Sequence, residues 1–289
     1  MPAPRDRRSP VVGWFAALAA ACAAGTAITF LIAIRTAEGQ RLDDAARGRL
    51  SAFVEPSAYR GTESLLETIS VSSLALFGLA IMAVALIRGR PRLALGAGVI
   101  VLGANLTTQF LKSTLDRPDL VNGLGPSPGA FPSGHVTVAM SLAMGLVLVA
   151  PPALRWVAAV AGCGYAAAVG MAVLALDWHR PSEVIAGYLV CVGWAAAVTA
   201  VLVATSGTAE LRAGGPSVAT RVGAIAAVVL GVVFVIVVGT ALERRLDVID
   251  FVGDSTAFAA AAVACAAACA LLGAVMTALL QRAALPPDG

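Results

Sequence analysis

Two histidines and one lysine occur in the 289 residues, and their placement is the most informative property of the chain. Lys112 closes one apolar run, His135 opens the next, and His179 follows the run after that. The 44 residues from His135 to His179 hold two helices of about 20 residues and a tight turn, so the chain would cross an apolar layer and return. All three side chains would then meet at one face. Ionisable groups near membrane depth are costly, and their convergence marks a site. Two groups that titrate near neutral pH, beside a lysine, are equipped for proton transfer and anion binding.

Each residue sits in a polar cluster. The first is Lys112-Ser113-Thr114-Leu115-Asp116-Arg117-Pro118-Asp119. Its cations would suit a helix end reaching into the headgroup region. Behind Lys112, however, Asn105, Thr108 and Gln109 fall at helical spacing, and that polar stripe reads as a pocket wall. The second is Ala130-Phe131-Pro132-Ser133-Gly134-His135, directly before an apolar run. Pro and Ser start helices, and Gly134 lets an anion approach the backbone. Free N–H groups at such a start form a phosphate site; the plainer reading is ordinary capping. The third is Asp177-Trp178-His179-Arg180-Pro181-Ser182-Glu183. Pro181 suits a first helical position. Glu183, four residues after His179, can reach one ring nitrogen, fix the tautomer and raise the basicity of the other. An interface pair without chemistry is the alternative, and Trp178 reads as an interfacial anchor.

The elements that must carry these clusters follow from composition. The chain is 59% hydrophobic and 13% charged, with a mean hydropathy of +0.87. A soluble domain carries about 25% charged residues, so a single soluble domain, a disordered chain and a coiled coil are excluded. The expected fold is all-α: a polytopic membrane helical bundle of about eight transmembrane helices. Apolar runs predict spans at 11–34, 64–87, 93–111, 134–150, 154–176, 182–204, 218–241 and 255–280. The first run exceeds a signal-peptide core and reads as a retained span. The segment 35–63 mixes five arginines with five acidic residues and reads as a solvated connecting loop, with an interfacial helix as the alternative. All five cysteines lie in apolar runs and read as small packing residues. A net charge of +3, scattered along the chain, gives no nucleic-acid partner. Basic residues tie at ten on each side; the Arg88-Gly89-Arg90-Pro91-Arg92 turn and the basic N-terminus favour both termini inside and the site outside.

Three motifs in this order resemble the type-2 phosphatidic acid phosphatase (PAP2) superfamily of membrane lipid phosphatases. Lys112…Arg117-Pro118 is similar to its Lys…Arg-Pro motif, Pro132-Ser133-Gly134-His135 to its Pro-Ser-Gly-His, and His179-x3-Glu183 to the end of its Ser-Arg-x5-His-x3-Asp. The resemblance covers about residues 64–204. It implies a six-helix PAP2-like core over 1–204, then a linker and two additional C-terminal transmembrane helices over 205–289. It also implies a metal-independent hydrolysis of a lipid phosphomonoester or diphosphate without cofactor. His179 would attack phosphorus to give a phosphohistidine, Glu183 would orient its ring, and His135 would protonate the leaving oxygen and then activate water. Lys112, Arg117, Ser133, Gly134 and Arg180 would hold the phosphoryl oxygens.

This chain departs from the pattern in three places. Asp119 stands where an arginine follows the lysine by seven residues, Ala172-Val173 replace Ser-Arg, and Glu183 replaces Asp. Arg117 and Arg180 are the candidates to supply the missing guanidinium groups. Asp116, Asp119 and Asp177 are expected to point away or pair with arginine. The implied partners are a polyprenyl or glycerolipid phosphate and membrane lipids, with homo-oligomerisation open. A lipid phosphotransferase and a non-catalytic lipid-phosphate binder are the alternatives. A transporter is disfavoured by charge-free span interiors and the lack of a broken helix pair.

Overall fold

The computed structural model describes residues 8–45, 66, 71–121, 129–212 and 256–284. Eight α-helices fall in these stretches, with no strand among the described residues. They are α1 (Arg8–Thr29), continued by a π turn over Phe30–Ile34, α2 (Ala37–Ala45), α3 (Val71–Ile87), α4 (Pro91–Thr114), α5 (Gly134–Val149), α6 (Arg155–Ala175), α7 (Pro181–Ser206) and α8 (Thr256–Ala284). Among the described residues, five stretches are long and apolar enough to cross a membrane: Pro10–Ile34, Pro91–Thr114, Pro152–Ala175, Pro181–Ser206 and Ala261–Ala284. Ser73–Ile87 and Gly134–Val149 are shorter apolar helices. The fold is the expected all-α bundle. The predicted span at 218–241, the loop at 242–254, residues 46–63, and Arg5 and Arg7 lie outside the described residues.

Proline and glycine punctuate the bundle. Pro91 and Pro181 open α4 and α7, where a missing N–H is harmless and φ is already helical. Gly207, at φ 71°, closes α7 in a backbone conformation that side chains resist.

Small residues set the helix contacts. Lipid offers no hydrophobic driving force between helices, so close backbone approach must supply the packing. On α1, Gly25 meets Leu189 and Cys22 meets Gly193, seating α1 on α7. A Cβ at Gly162 of α6 would come within 2.8 Å of Ala143 of α5. One at Gly103 of α4 would come within 2.7 Å of the Trp194 ring. Helix α8 lies against α6 and α7. All five cysteines are free and buried, and Cys269 Sγ donates to the Cys163 carbonyl at 3.3 Å. They pack helices, as their setting implied.

The polar stripe of α4 has a different use from the expected pocket wall. Asn105 Nδ2 donates to Ser141 Oγ at 3.1 Å, and the Thr108 and Thr137 hydroxyls share a hydrogen bond of 3.0 Å. Gln109 is exposed. Asn105 and Thr108 form a hydrogen-bonded seam between α4 and α5, which satisfies their polar groups inside an apolar bundle.

The two ends of the bundle differ in chemistry. At one end, arginines hold carbonyls that helix termini leave without partners. Arg88 Nη1 donates to the Val149 carbonyl, and Arg90 Nη2 to that of Arg212 at 3.1 Å. Arg155 Nη1 and Nη2 donate to the carbonyls of Leu280 at 3.0 Å and Leu211 at 2.6 Å. The Arg282 guanidinium lies 6.0 Å from the Trp14 ring centre, so α1 starts where α8 ends. The opposite end gathers the end of α4, the starts of α5 and α7, and α2. There the solvated-loop reading of 35–63 is corrected: residues 37–45 form a helix in which Gln40 and Asp43 are buried. Gln40 Nε2 donates to the carbonyls of Ile34 at 2.8 Å and Pro118 at 2.7 Å. Helix α2 therefore fastens the end of α1 to the segment after α4.

Candidate active site

The starts of α5 and α7 are tied together before any side chain enters the account. The Ser133 N–H donates to the Glu183 carbonyl at 2.9 Å. Thr137 Oγ1 returns to the Ser133 carbonyl at 2.8 Å, fixing the first turn of α5. Ser133 has extended backbone at the N-cap, yet its hydroxyl makes no capping bond. That Oγ is buried and unpartnered, a costly arrangement that an incoming acceptor would relieve.

At α7 one carboxylate does two jobs. Glu183 Oε2 accepts the Arg180 N–H at 3.1 Å, closing a capping box on the first turn. The same oxygen lies 2.7 Å from His179 Nδ1. A carboxylate at Nδ1 assigns the proton there and leaves Nε2 with its lone pair. Glu183 is fully buried and His179 is 9% exposed. His135 stands across from it, with ring centres 6.3 Å apart and planes at 64°. Trp178 packs its ring 5.3 Å from that of His135, so it supports the imidazole. Lys112 comes in over the start of α5, where a Cβ at Gly134 would sit 3.8 Å from its Nζ. Glycine thus leaves room between ammonium and backbone.

The guanidinium groups are the surprise. Arg117, expected among the phosphate donors, is 4% exposed and faces α2. Its Nη1 donates to Asp43 Oδ2 at 3.1 Å and its Nη2 to Asp44 Oδ2 at 2.6 Å. Arg180 Nε donates to Asp44 Oδ1 at 2.5 Å and its Nη1 to Glu183 Oε1 at 3.4 Å. Its Nη2 is buried without a partner. Asp43 also accepts the Ser182 N–H at 3.0 Å and the Ser182 hydroxyl at 2.7 Å. Burial pushes the Asp43 carboxyl above its ordinary value, and the bonds from Ser182 and Arg117 only partly offset this. Burial opposes the charge of Arg180, but the bond to Asp44 and the carboxylates of Glu183, Asp44 and Asp43 hold its pKa above the ordinary value.

The structure therefore brings together Lys112, Ser133, Gly134, His135, His179, Arg180 and Glu183, and sets Arg117 behind them against α2. Asp116 and Asp119 are exposed, as their expected repulsion of an anion requires. Asp43, Asp44 and Gln40 were missed in the sequence. Their partners at the site end lie 73 to 139 residues away, and the one available hint was the mixed charge of their segment.

Chemically, the arrangement offers one imidazole with a basic nitrogen, a second facing it, and an ammonium with further donors at a helix start. In comparison with protein families, the PAP2 superfamily model matches residues 93–206, from the first turn of α4 to the end of α7. No curated protein and no solved structure matches the chain.

Proposed function

We propose, from the match of residues 93–206 to the PAP2 superfamily model, that the chain is an integral-membrane lipid phosphatase working through a phosphohistidine. The observation that carries this reading is the pair of imidazoles 6.3 Å apart, with Glu183 on the Nδ1 of one of them. In the first step the His179 Nε2 lone pair attacks phosphorus. The bond to the leaving oxygen breaks, and His135 gives that oxygen a proton. In the second step His135 takes a proton from water, whose oxygen displaces the imidazole and releases phosphate. Lys112, the Ser133 hydroxyl, the Gly134 N–H and Arg180 hold the non-bridging oxygens as charge shifts in the transition state. Neither step requires a metal ion.

Supporting a lipid substrate is a cavity of about 600 Å³ between α1, α4 and α7. It is lined by Phe30, Leu31, Leu111, Leu115, Phe131 and Trp194, among other mainly apolar residues. Leu111 directly precedes Lys112, and Phe131 lies four residues before His135, so a chain in this cavity would run toward the imidazoles. Arg88, Arg90, Arg92 and Arg155 at the other end support a cell-membrane topology with termini in the cytoplasm and the site on the outer face.

The test is phosphate release from lipid phosphates by the purified protein. Labelled phosphate should appear on the wild-type protein as an acid-labile, base-stable adduct, and His179→Ala should show neither adduct nor turnover. Equal turnover by His179→Ala would overturn the mechanism. Adding candidate alcohols to the assay separates a phosphatase from a phosphotransferase by product.

A further inference from the structure

The aspartates of α2 carry a consequence for what the site accepts. A site for one phosphoryl group needs donors for its non-bridging oxygens, and Ser133 Oγ, the Gly134 N–H, Lys112 Nζ and Arg180 Nη2 supply them. Two of these atoms, Ser133 Oγ and Arg180 Nη2, are buried and without partners, which marks them as donors awaiting an acceptor. A second phosphoryl group would need another set, and Arg117, which shares Asp44 with Arg180, is the candidate source. Both of its terminal nitrogens are already held, one by Asp43 and one by Asp44. Asp44 also bridges to Arg180 through Nε, which fixes the guanidinium plane and leaves Nη2 as its one unpaired corner. In formal charge, Lys112, Arg117 and Arg180 are balanced by Asp43, Asp44 and Glu183, so the proton that His135 carries as general acid is the site's surplus positive charge.

We infer that Asp44 is a positioning residue which, with Asp43, withdraws Arg117 from the headgroup and restricts the site to a phosphomonoester, against a diphosphate. This rests on the phosphatase reading and narrows its substrate class. Asp44 touches no substrate; it acts by presenting one edge of Arg180 and by occupying Arg117. Replacing it by Asn leaves one acceptor oxygen where there were two, so either Arg117 Nη2 or Arg180 Nε is released as a donor for a second phosphoryl group.

The experiment is equilibrium binding of inorganic phosphate and of pyrophosphate to the full chain in detergent, read by thermal stabilisation. Turnover of a lipid monophosphate and a lipid diphosphate is measured in parallel. Wild type should bind phosphate more tightly than pyrophosphate. Asp44→Asn should shift that ratio toward pyrophosphate by about tenfold, the worth of one charge-assisted hydrogen bond. The kcat/KM ratio for the two lipids should move in the same direction. A purely structural aspartate would lower the melting temperature and weaken both ligands alike, leaving the ratio fixed. Stronger wild-type binding of pyrophosphate overturns the inference, as does an unchanged ratio in Asp44→Asn or binding of neither anion. Should Asp44→Asn fail to fold, the wild-type ratio decides alone. Absent turnover of any lipid phosphate, with the preference for phosphate intact, would instead defeat the phosphatase reading and leave the selectivity standing.

Discussion

Replacing Glu183 by Gln removes one charge and almost no volume, so it isolates what the carboxylate does for His179. As the ring attacks phosphorus it changes from neutral to a charged, phosphorylated imidazolium. With Glu183 Oε2 2.7 Å from Nδ1, the charge centres lie about 4 Å apart, worth about 4 kcal/mol at the effective dielectric of a protein site. The amide dipole of Gln would retain roughly half of that, given that neutral hydrogen bonds are about half as strong as charge-assisted ones. A loss of about 2 kcal/mol corresponds to a fall in kcat of about 30-fold, at 1.36 kcal/mol per tenfold. KM should hardly change, because Glu183 does not touch the substrate. The assay is the initial rate of phosphate release over a range of substrate, with thermal melting measured on the same samples. The Gln oxygen still accepts the Arg180 N–H now held at 3.1 Å, but the buried ion pair with Arg180 Nη1 is lost, so melting should fall and kcat is read well below the variant's melting temperature. Glu183→Ala would also lose that cap, costing about 1 kcal/mol in stability. If Glu183→Gln keeps kcat within about threefold of wild type, well short of the figure worked from the charge, the carboxylate is a helix cap and the reasoning fails.

Three other perturbations probe neighbouring groups. His135→Gln should lower kcat by about 10²–10⁴, the range for a lost general acid–base, and rapid quenching should show any labelled adduct outliving that of wild type because water is no longer activated. Lys112→Gln should weaken inorganic phosphate binding and raise KM by about tenfold, the loss of one charge-assisted contact, with little change in melting temperature. Arg117→Gln should behave in the opposite way. It leaves Asp43 and Asp44 without their shared partner, and breaking a buried ion pair costs about 3–5 kcal/mol. Denaturant unfolding should register that loss, and unchanged stability would place Arg117 outside the framework of the fold.

The sequence made the helices and the imidazole pair readable for one physical reason: both are local or nearly so. Apolar runs bounded by Pro91, Pro181 and Gly207 mark spans wherever they occur, and two antiparallel crossings of fixed length put His135 and His179 at one end. The reach of Glu183 to His179 follows from helical spacing alone. The roles of Arg117 and Arg180 were not readable, since their partners on α2 are 74 and 136 residues away. Nothing in the alternating signs of 35–63 shows that Asp43 and Asp44 face inward. The stripe of Asn105 and Thr108 misled for a related reason. A polar face inside a membrane bundle serves a neighbouring helix as readily as a ligand, and only the position of Ser141 and Thr137 decides between them.

The grip of Arg155 bears on how short a working version of this protein can be. Both backbone oxygens held by that guanidinium belong to residues past 206, at Leu211 and Leu280. Trimming the polypeptide to its family-matched stretch would strand a buried cation and strip the cover from Cys163. Such a fragment should aggregate when expressed, even though every residue assigned to the chemistry, apart from those on α2, would still be present.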